Sequence, residues 1–316
     1  MKRIIAGLGI ALATFVANAA YPEKPIRLVV PFPAGSGTDI VARELGEEMS
    51  KDLKQPIIVD NKGGAQGIIG VQSAVASPAD GYTLVILGVT TGASNVSLFK
   101  KLPYDPLRDL TPIGMIADSP IVLVGSPKVV AKNLEELLRY GRQNPGKLSY
   151  GYGSGSAQVA AARVVSMGKF EAVPVGYKGS PQALVDLMSG QVDFMFVDLS
   201  VATSQLAAGK VKAFGVSTKS RFPQAPNIPS IHEAGLPGFD LSVWFAMAGP
   251  AGMSAEVTAR VSTALNNALR SPVLIKKFET KGLAVKISMP SEFGAFLKSE
   301  IANWAMMIKE AGIPAQ

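Results

Sequence analysis

A chain of 316 residues, 47% hydrophobic and 17% charged, has enough apolar material for the packed cores of two domains and excludes a disordered or fibrous protein. With no cysteine it has no disulfide framework, thiolate nucleophile or zinc-thiolate site, and its one histidine, His232, argues against a His-rich metal centre and weakens any His-based triad. The net charge of +7 comes from scattered Lys and Arg beside 7% aromatics, which suits an anionic small ligand and not a nucleic acid.

Met1-Lys2-Arg3, the apolar run Ile4 to Val16 and the small-residue pattern Ala17-Asn18-Ala19 form a secretory signal peptide over residues 1–19, with the mature chain starting near Ala20 or Tyr21. The run is shorter than the ~20 residues a membrane span requires. The mature protein is therefore expected to be exported and periplasmic.

Next, short β-type runs alternate with helical patterns: strand Ile26 to Val30, helix Ile40 to Leu53, strand Ile57 to Val59, helix Gly67 to Ala76, strand Thr83 to Leu87. A second series has strands at Ile121 to Val124, Leu148 to Gly151, Ala172 to Val175, Phe194 to Val197 and Ala213 to Val216. Helices at Asn133 to Arg142, Ala157 to Met167, Pro181 to Met188 and Ser200 to Ala208 separate them. Phe222 to Gly238 is rich in Pro and Gly and reads as a connector. A strand at Trp244 to Ala248 and helices at Ala255 to Arg270 and Ser291 to Ala311 complete the chain. The last helix places Phe293, Phe296, Leu297, Ile301, Trp304 and Ile308 on one core-facing stripe.

This alternation predicts an α/β protein of two domains, each a mainly parallel sheet flanked by helices. The terminal helices need a sheet to cover, so residues 20–119 and 244–316 form one discontinuous domain and residues 120–243 the other. The chain then crosses between them twice, near Ala117 to Ile121 and Leu241 to Phe245, and two crossings make a hinge with a closable cleft.

Binding loops are expected at the carboxyl ends of the strands. Pro31 to Thr38 offers Gly35 and Gly37 for close backbone approach and the hydroxyls of Ser36 and Thr38, with Thr38 or Asp39 available to cap the following helix. It lacks the Lys of a P-loop, so it reads as a small-anion loop or a plain strand-to-helix turn. Asn61 to Gly67 repeats the arrangement, and Thr90, Thr91 and Asn95 add polar groups at the same edge. In the second domain Tyr152 to Ser156, Tyr177 to Ser180 and Asp198 are the matching junctions. Lys178 reads equally as a solvated surface lysine, and Asp198 as a cap of the helix that follows it.

The segments YPEKPIRLVVPFPAGSGTDIVAR, NKGGAQGIIG, PADGYTLVILG, LFKKLPYDPLRDLTPIGMI, VGYKGSPQALVDLMSGQVDFMF, AAGKVKAFGVST and NIPSIHEAGLPGF span nearly the whole mature chain. Together they resemble the Bug family, the periplasmic solute-binding proteins of tripartite tricarboxylate transporters. The resemblance implies a type II periplasmic binding protein fold closing on an organic acid. One ligand carboxylate would be held at Phe32, Ala34, Ser36, Gly37 and Thr38 and at Gly64, Ala65 and Gln66, and the far end read by Ser154, Ser156, Tyr177, Lys178 and Asp198. Thr90 and Thr91 complete the expected ligand-binding set. Where many members carry a His followed by Leu-Ala-Gly-Glu, this chain reads Ser156-Ala157-Gln158-Val159-Ala160-Ala161, which leaves the ligand's identity open.

The expected function is capture of a small carboxylate, a di- or tricarboxylate or an aromatic acid, for delivery to a cognate membrane permease. No enzyme activity, cofactor, metal or nucleic acid is expected, and the protein is expected to be a monomer. One alternative is a ligand-loaded partner of a sensor kinase, which would use the same closed form. Another is an exported serine hydrolase using Ser36 or Ser154, against which stand the missing G-x-S-x-G motif and the single His in a connector.

Overall fold

The computed structural model describes residues 21–316, so the expected signal peptide lies outside the described residues. The first part of the chain runs β1 (Ile26–Val30), α1 (Gly37–Leu53), β2 (Ile57–Asn61), α2 (Ile68–Val75), β3 (Thr83–Gly88), α3 (Asn95–Leu98) and β4 (Leu110–Ser119). It continues with β5 (Ile121–Gly125), α4 (Leu134–Gln143), β6 (Leu148–Tyr152), α5 (Gly155–Gly168), β7 (Ala172–Gly176), α6 (Ser180–Ser189), β8 (Phe194–Asp198), α7 (Leu199–Ala207) and β9 (Lys212–Val216). After the connector come β10 (Val243–Pro250), α8 (Ala255–Leu269), α9 (Pro272–Glu279), β11 (Ala284–Val285) and α10 (Pro290–Glu310).

Two sheets result, six strands in the order β11-β4-β10-β3-β1-β2 and five in the order β7-β6-β8-β5-β9. Both have helices on their faces, as expected, but their strand directions are mixed where mainly parallel sheets were expected. β1, β2 and β3 pair parallel, as do β6, β7 and β8, while β10 runs antiparallel to β3 and β4, and β5 antiparallel to β8 and β9. The hinge causes this: β5 and β10 each enter their sheet from the cleft, whereas their neighbours end there.

The core follows the period of the strands. Ile26, Leu28 and Val30 of β1 are buried in one cluster with Val41, Leu45 and Met49 of α1 and Leu265 and Leu269 of α8. Val29, pointing the other way, joins the cluster that holds Val71 of α2 and Phe293, Leu297 and Trp304 of α10. A strand covered on both faces reads as an unbroken apolar run. The predicted α10 stripe is core, with Phe293, Leu297, Trp304 and Ile308 buried.

Four elements were not foreseen, two of them the short α3 and β11. β4 contains Pro112 and Gly114, which break the β pattern. It is tolerated because the partner strand β10 shifts register beside it, between Met247 and Ala248. The short helix α9 was also missed. The connector is more ordered than its composition implies, since Ile231, Leu236, Phe239 and Leu241 are buried and Val216 bridges Ser230. His232 belongs to it, its Nδ1 accepting the Gly238 N–H at 2.9 Å, and takes a structural role.

The crossings lie at Ser119 to Ile121 and Leu241 to Val243, and the fully buried Ser217 ties them together. Its hydroxyl donates to the Leu241 carbonyl at 2.7 Å and accepts the Ile121 N–H at 3.1 Å.

Candidate functional site

α1 starts three residues earlier than its apolar pattern suggests. Ser36, in place of the expected Thr38 or Asp39, is the N-cap, its hydroxyl accepting the Asp39 N–H at 3.3 Å. The Asp39 carboxylate in turn accepts the Gly35 N–H at 2.9 Å and ion-pairs with Arg43, also at 2.9 Å. Burial alone would raise the Asp39 pKa, but Arg43, the Gly35 N–H and the Asn61 amide outweigh it and hold the carboxyl below its ordinary range. These bonds tie the loop together, and the first turn of α1 abuts the second domain, where Asp198 lies against Gly37.

Four helices begin at the cleft. Ser36 caps α1, Ser154 caps α5 by accepting the Ala157 N–H at 3.3 Å, Gly179 precedes α6, and Asp198 precedes α7 without capping it through its side chain. Gly153 makes this convergence possible, because a Cβ there would collide with the backbone of Gly179 and Ser180. Residues from all four starts line a cavity of about 30 Å³ between the domains: Ser36 and Thr38, Ser154 and Ser156, Ser180, and Asp198. Phe32, Thr90 and Trp244 close its walls.

Direct contacts across the cleft hold the domains together. Thr90 Oγ1 lies 3.3 Å from Ser156 Oγ and accepts the Ser156 N–H at 3.2 Å, and Gln66 Nε2 donates to Gln158 Oε1 at 3.2 Å. Gln66 is aimed there by two consecutive left-handed residues, Ala65 at φ 46° and Gln66 at φ 52°, a conformation that costs of order 1–3 kcal/mol per non-glycine residue. Glycines stand where backbone meets the facing domain: a Cβ at Gly37 would lie 2.5 Å from Cγ and Oδ2 of Asp198, and one at Gly179 would lie 2.7 Å from Pro33 Cδ.

The expected site residues therefore divide. Phe32, Ser36, Thr38, Thr90, Ser154, Ser156 and Asp198 line the cavity, with Gly37 and Gln66 at the seam. Ala34 and Ala65 are exposed on the rim, Gly64 is half-buried beside them, and Thr91 lies beneath the surface, its hydroxyl accepting the Gly88 N–H. Tyr177 and Lys178 do not line the cavity. The Tyr177 ring packs over Gly151 and faces Asp186, and Lys178 is exposed. Ser180, Trp244 and Phe245 line it unforeseen. Ser180 follows the Gly179 junction, and Trp244 follows the hinge crossing, so both carried a positional signal.

Among the described residues no Lys, Arg or His lines the cavity, and Asp198 is the one ionisable group that does. Burial pushes the Asp198 carboxyl up to about 6, against the backbone N–H groups of Asp198 itself and Gly37, which lower it. A raised acid pKa means the fold favours the protonated carboxyl, so its contribution to stability is complete below the ordinary value of 3.8 and is lost as pH rises through about 6. Asp198→Asn should therefore raise the thermal midpoint above pH 6 and converge with the wild type below pH 4. A melting series over this range tests it, and a pH-independent difference would contradict the assignment.

Among the described residues no group of three His, Cys, Asp or Glu could hold a metal, and no helix is long and apolar enough to cross a membrane. Ser36 and Ser154 have no imidazole near them, since His232 is bound within the connector.

A two-lobed α/β fold, hinged at two crossings, with helix N-termini converging on an interdomain cavity, defines a periplasmic binding protein. The model of the tripartite tricarboxylate transporter family receptor, TctC, matches residues 41–313, and the chain belongs to that family. Protein BugT of Bordetella pertussis is 32% identical over 320 residues, covering 99% of this chain and 98% of that protein. Among solved structures, R. palustris Rpa4515 with adipate aligns with a TM-score of 0.91 at 31% identity, covering 94% of this chain and 100% of that one. MatC of Rhodopseudomonas palustris with bound malate aligns at 0.86 and 30%, covering 91% and 100%.

Proposed function

We propose that this protein is an exported receptor that captures a small organic carboxylate between its domains and delivers it to a tripartite tricarboxylate-type membrane transporter. The observation that carries this reading is the convergence of four helix N-termini and their hydroxyls on one cavity that contains no cationic side chain. Oriented N–H groups and positive helix ends offset the desolvation of an anion without a salt bridge. Relatives with adipate and with malate support the ligand class.

A volume of about 30 Å³ holds one or two water molecules, whereas ligand pockets are roughly 300–1,000 Å³. Binding must therefore part the lobes and remake the seam around the ligand. The re-formed closed surface is what a permease would recognise, so occupancy is coupled to docking. The assigned ligand contacts are Phe32, Ser36, Thr38, Thr90, Ser154, Ser156, Ser180 and Asp198.

Isothermal titration against mono-, di- and tricarboxylates, aromatic acids and amino acids tests the reading, and failure to bind any of them overturns it. Thr38→Pro deletes a first-turn N–H where proline is tolerated by the helix. It should weaken binding about tenfold or more, the size of one charge-assisted hydrogen bond. Thr38→Ala keeps the N–H and should lose less. Equal affinities in both variants would remove the α1 backbone from the site.

A further inference from the structure

Asp198 is the anomaly of an anion-binding cavity: a protein carboxylate placed among groups suited to a ligand carboxylate. Its side chain is in none of the ion pairs among the described residues. The surrounding elements supply no counter-charge, since β3, β5, β10 and α7 contain no Lys, Arg or His. On α1 the nearest charges, Asp39 and Arg43, are paired with each other and with Asn61. On α5, Arg163 faces Glu310 at 3.8 Å in a groove on another side of the hinge. What faces the Asp198 carboxylate across the cleft is the backbone at the start of α1, so near that a Cβ on Gly37 would lie 2.5 Å from Cγ and Oδ2, and the Gly37 N–H there works against the rise that burial causes in its pKa.

A ligand that parts the lobes separates this contact and leaves two needs side by side. The α1 start loses its acceptor, and Asp198 loses its donor from across the cleft. Leaving either unpaired inside the cleft costs about 1–3 kcal/mol where water is excluded. A plain dicarboxylate offers acceptors only, which satisfies α1 and sets a like charge against Asp198. An acid with a hydrogen-bond donor on the carbon next to its carboxylate satisfies both, with the two groups as close together as α1 and Asp198 stand here.

The geometry points to Asp198 as the residue that selects acids bearing a hydroxyl or ammonium group on the α-carbon over their unsubstituted counterparts. This rests on the carboxylate-receptor reading. Adipate and malate in the two R. palustris proteins represent both kinds of acid, so membership of the family does not decide between them.

The test is titration calorimetry at pH 7.5 with three matched sets: propionate, lactate and alanine; succinate, malate and aspartate; glutarate, 2-hydroxyglutarate and glutamate. In a set that binds, a donor-bearing member should bind at least about tenfold tighter than the unsubstituted acid. Asp198→Asn should reduce that ratio to within about threefold while the unsubstituted acid binds as well or better. Asp198→Ser, which removes the charge with a smaller side chain, should do the same if the amide variant folds poorly. An unsubstituted acid matching its substituted partners in the wild type overturns the proposal, as does a preference that survives both substitutions. If none of the nine binds while adipate or benzoate does, the receptor reading stands and this inference falls. If no organic acid binds, both fall.

Discussion

Gly37→Val should leave the protein folded and close to its normal melting temperature while lowering ligand affinity more than 100-fold. Gly37 is the first residue of α1 and is not among the residues with positive φ, so nothing local requires glycine. What requires it is Asp198, which sits where a side chain would project, with Cγ and Oδ2 at 2.5 Å and Cβ at 2.9 Å from a Cβ on Gly37. The collision exists only when the domains meet. A valine there also fills the space between α1 and Asp198 that the ligand must enter, so overpacking of about 3 kcal/mol falls on the liganded closed form too, and apparent affinity falls in proportion. Titration calorimetry and small-angle scattering with saturating ligand read the two halves: weak binding, and no compaction. Wild-type affinity in this variant would show that the ligand does not enter between α1 and Asp198.

Trp244→Ala should cost about 3–5 kcal/mol of stability and lower the melting temperature by on the order of 10 °C. Trp244 follows the second crossing on β10 and is 2% exposed. Its indole N–H donates to Glu300 Oε2 at 2.8 Å, and that oxygen also accepts the Trp304 indole at 3.2 Å, so one carboxylate fastens α10 to the hinge strand. The ring meets Phe293 and Phe296 edge-on at 6.1 and 5.6 Å and borders the interdomain cavity. Trp244→Phe retains much of the packing and loses the bond to Glu300, so it should fall between the two in urea unfolding. A loss under 1 kcal/mol for the alanine variant would mean that α10 holds the hinge without it.

The two substitutions separate the roles of neighbouring residues. Gly37 governs whether the lobes can meet, a matter of shape that appears only when the two domains are brought together. Trp244 governs whether the hinge strand is seated at all, a matter of core packing shared by both conformations.

Much of this was written locally. The unbroken apolar run of β1, the hydroxyl- and glycine-bearing loop behind it and the stripe of α10 are consequences of period and turn chemistry, which act over a few residues, and the sequence by itself determined them. Phe32, Ser36, Thr38, Ser154 and Ser156 were legible because a strand followed by Gly and Ser before a helix places backbone donors at the sheet edge. The resemblance to the Bug family pointed to the same loops, and family membership agrees with it.

Only the tertiary structure decided which neighbours in those loops turn toward the cleft. Tyr177 and Ser180 are three residues apart, yet the tyrosine packs over Gly151 while the serine enters the cavity at the start of α6. β4 escaped notice because Pro112 and Gly114 are acceptable only beside a strand that shifts register to match them. Asp198 read as a plausible helix cap, and its actual surroundings, the start of α1 and a cavity without cations, are assembled by closure of one domain on another. Propensity and pattern fix what each segment becomes, whereas the pairing of a charge with its environment depends on segments far apart in sequence and is set when the domains meet.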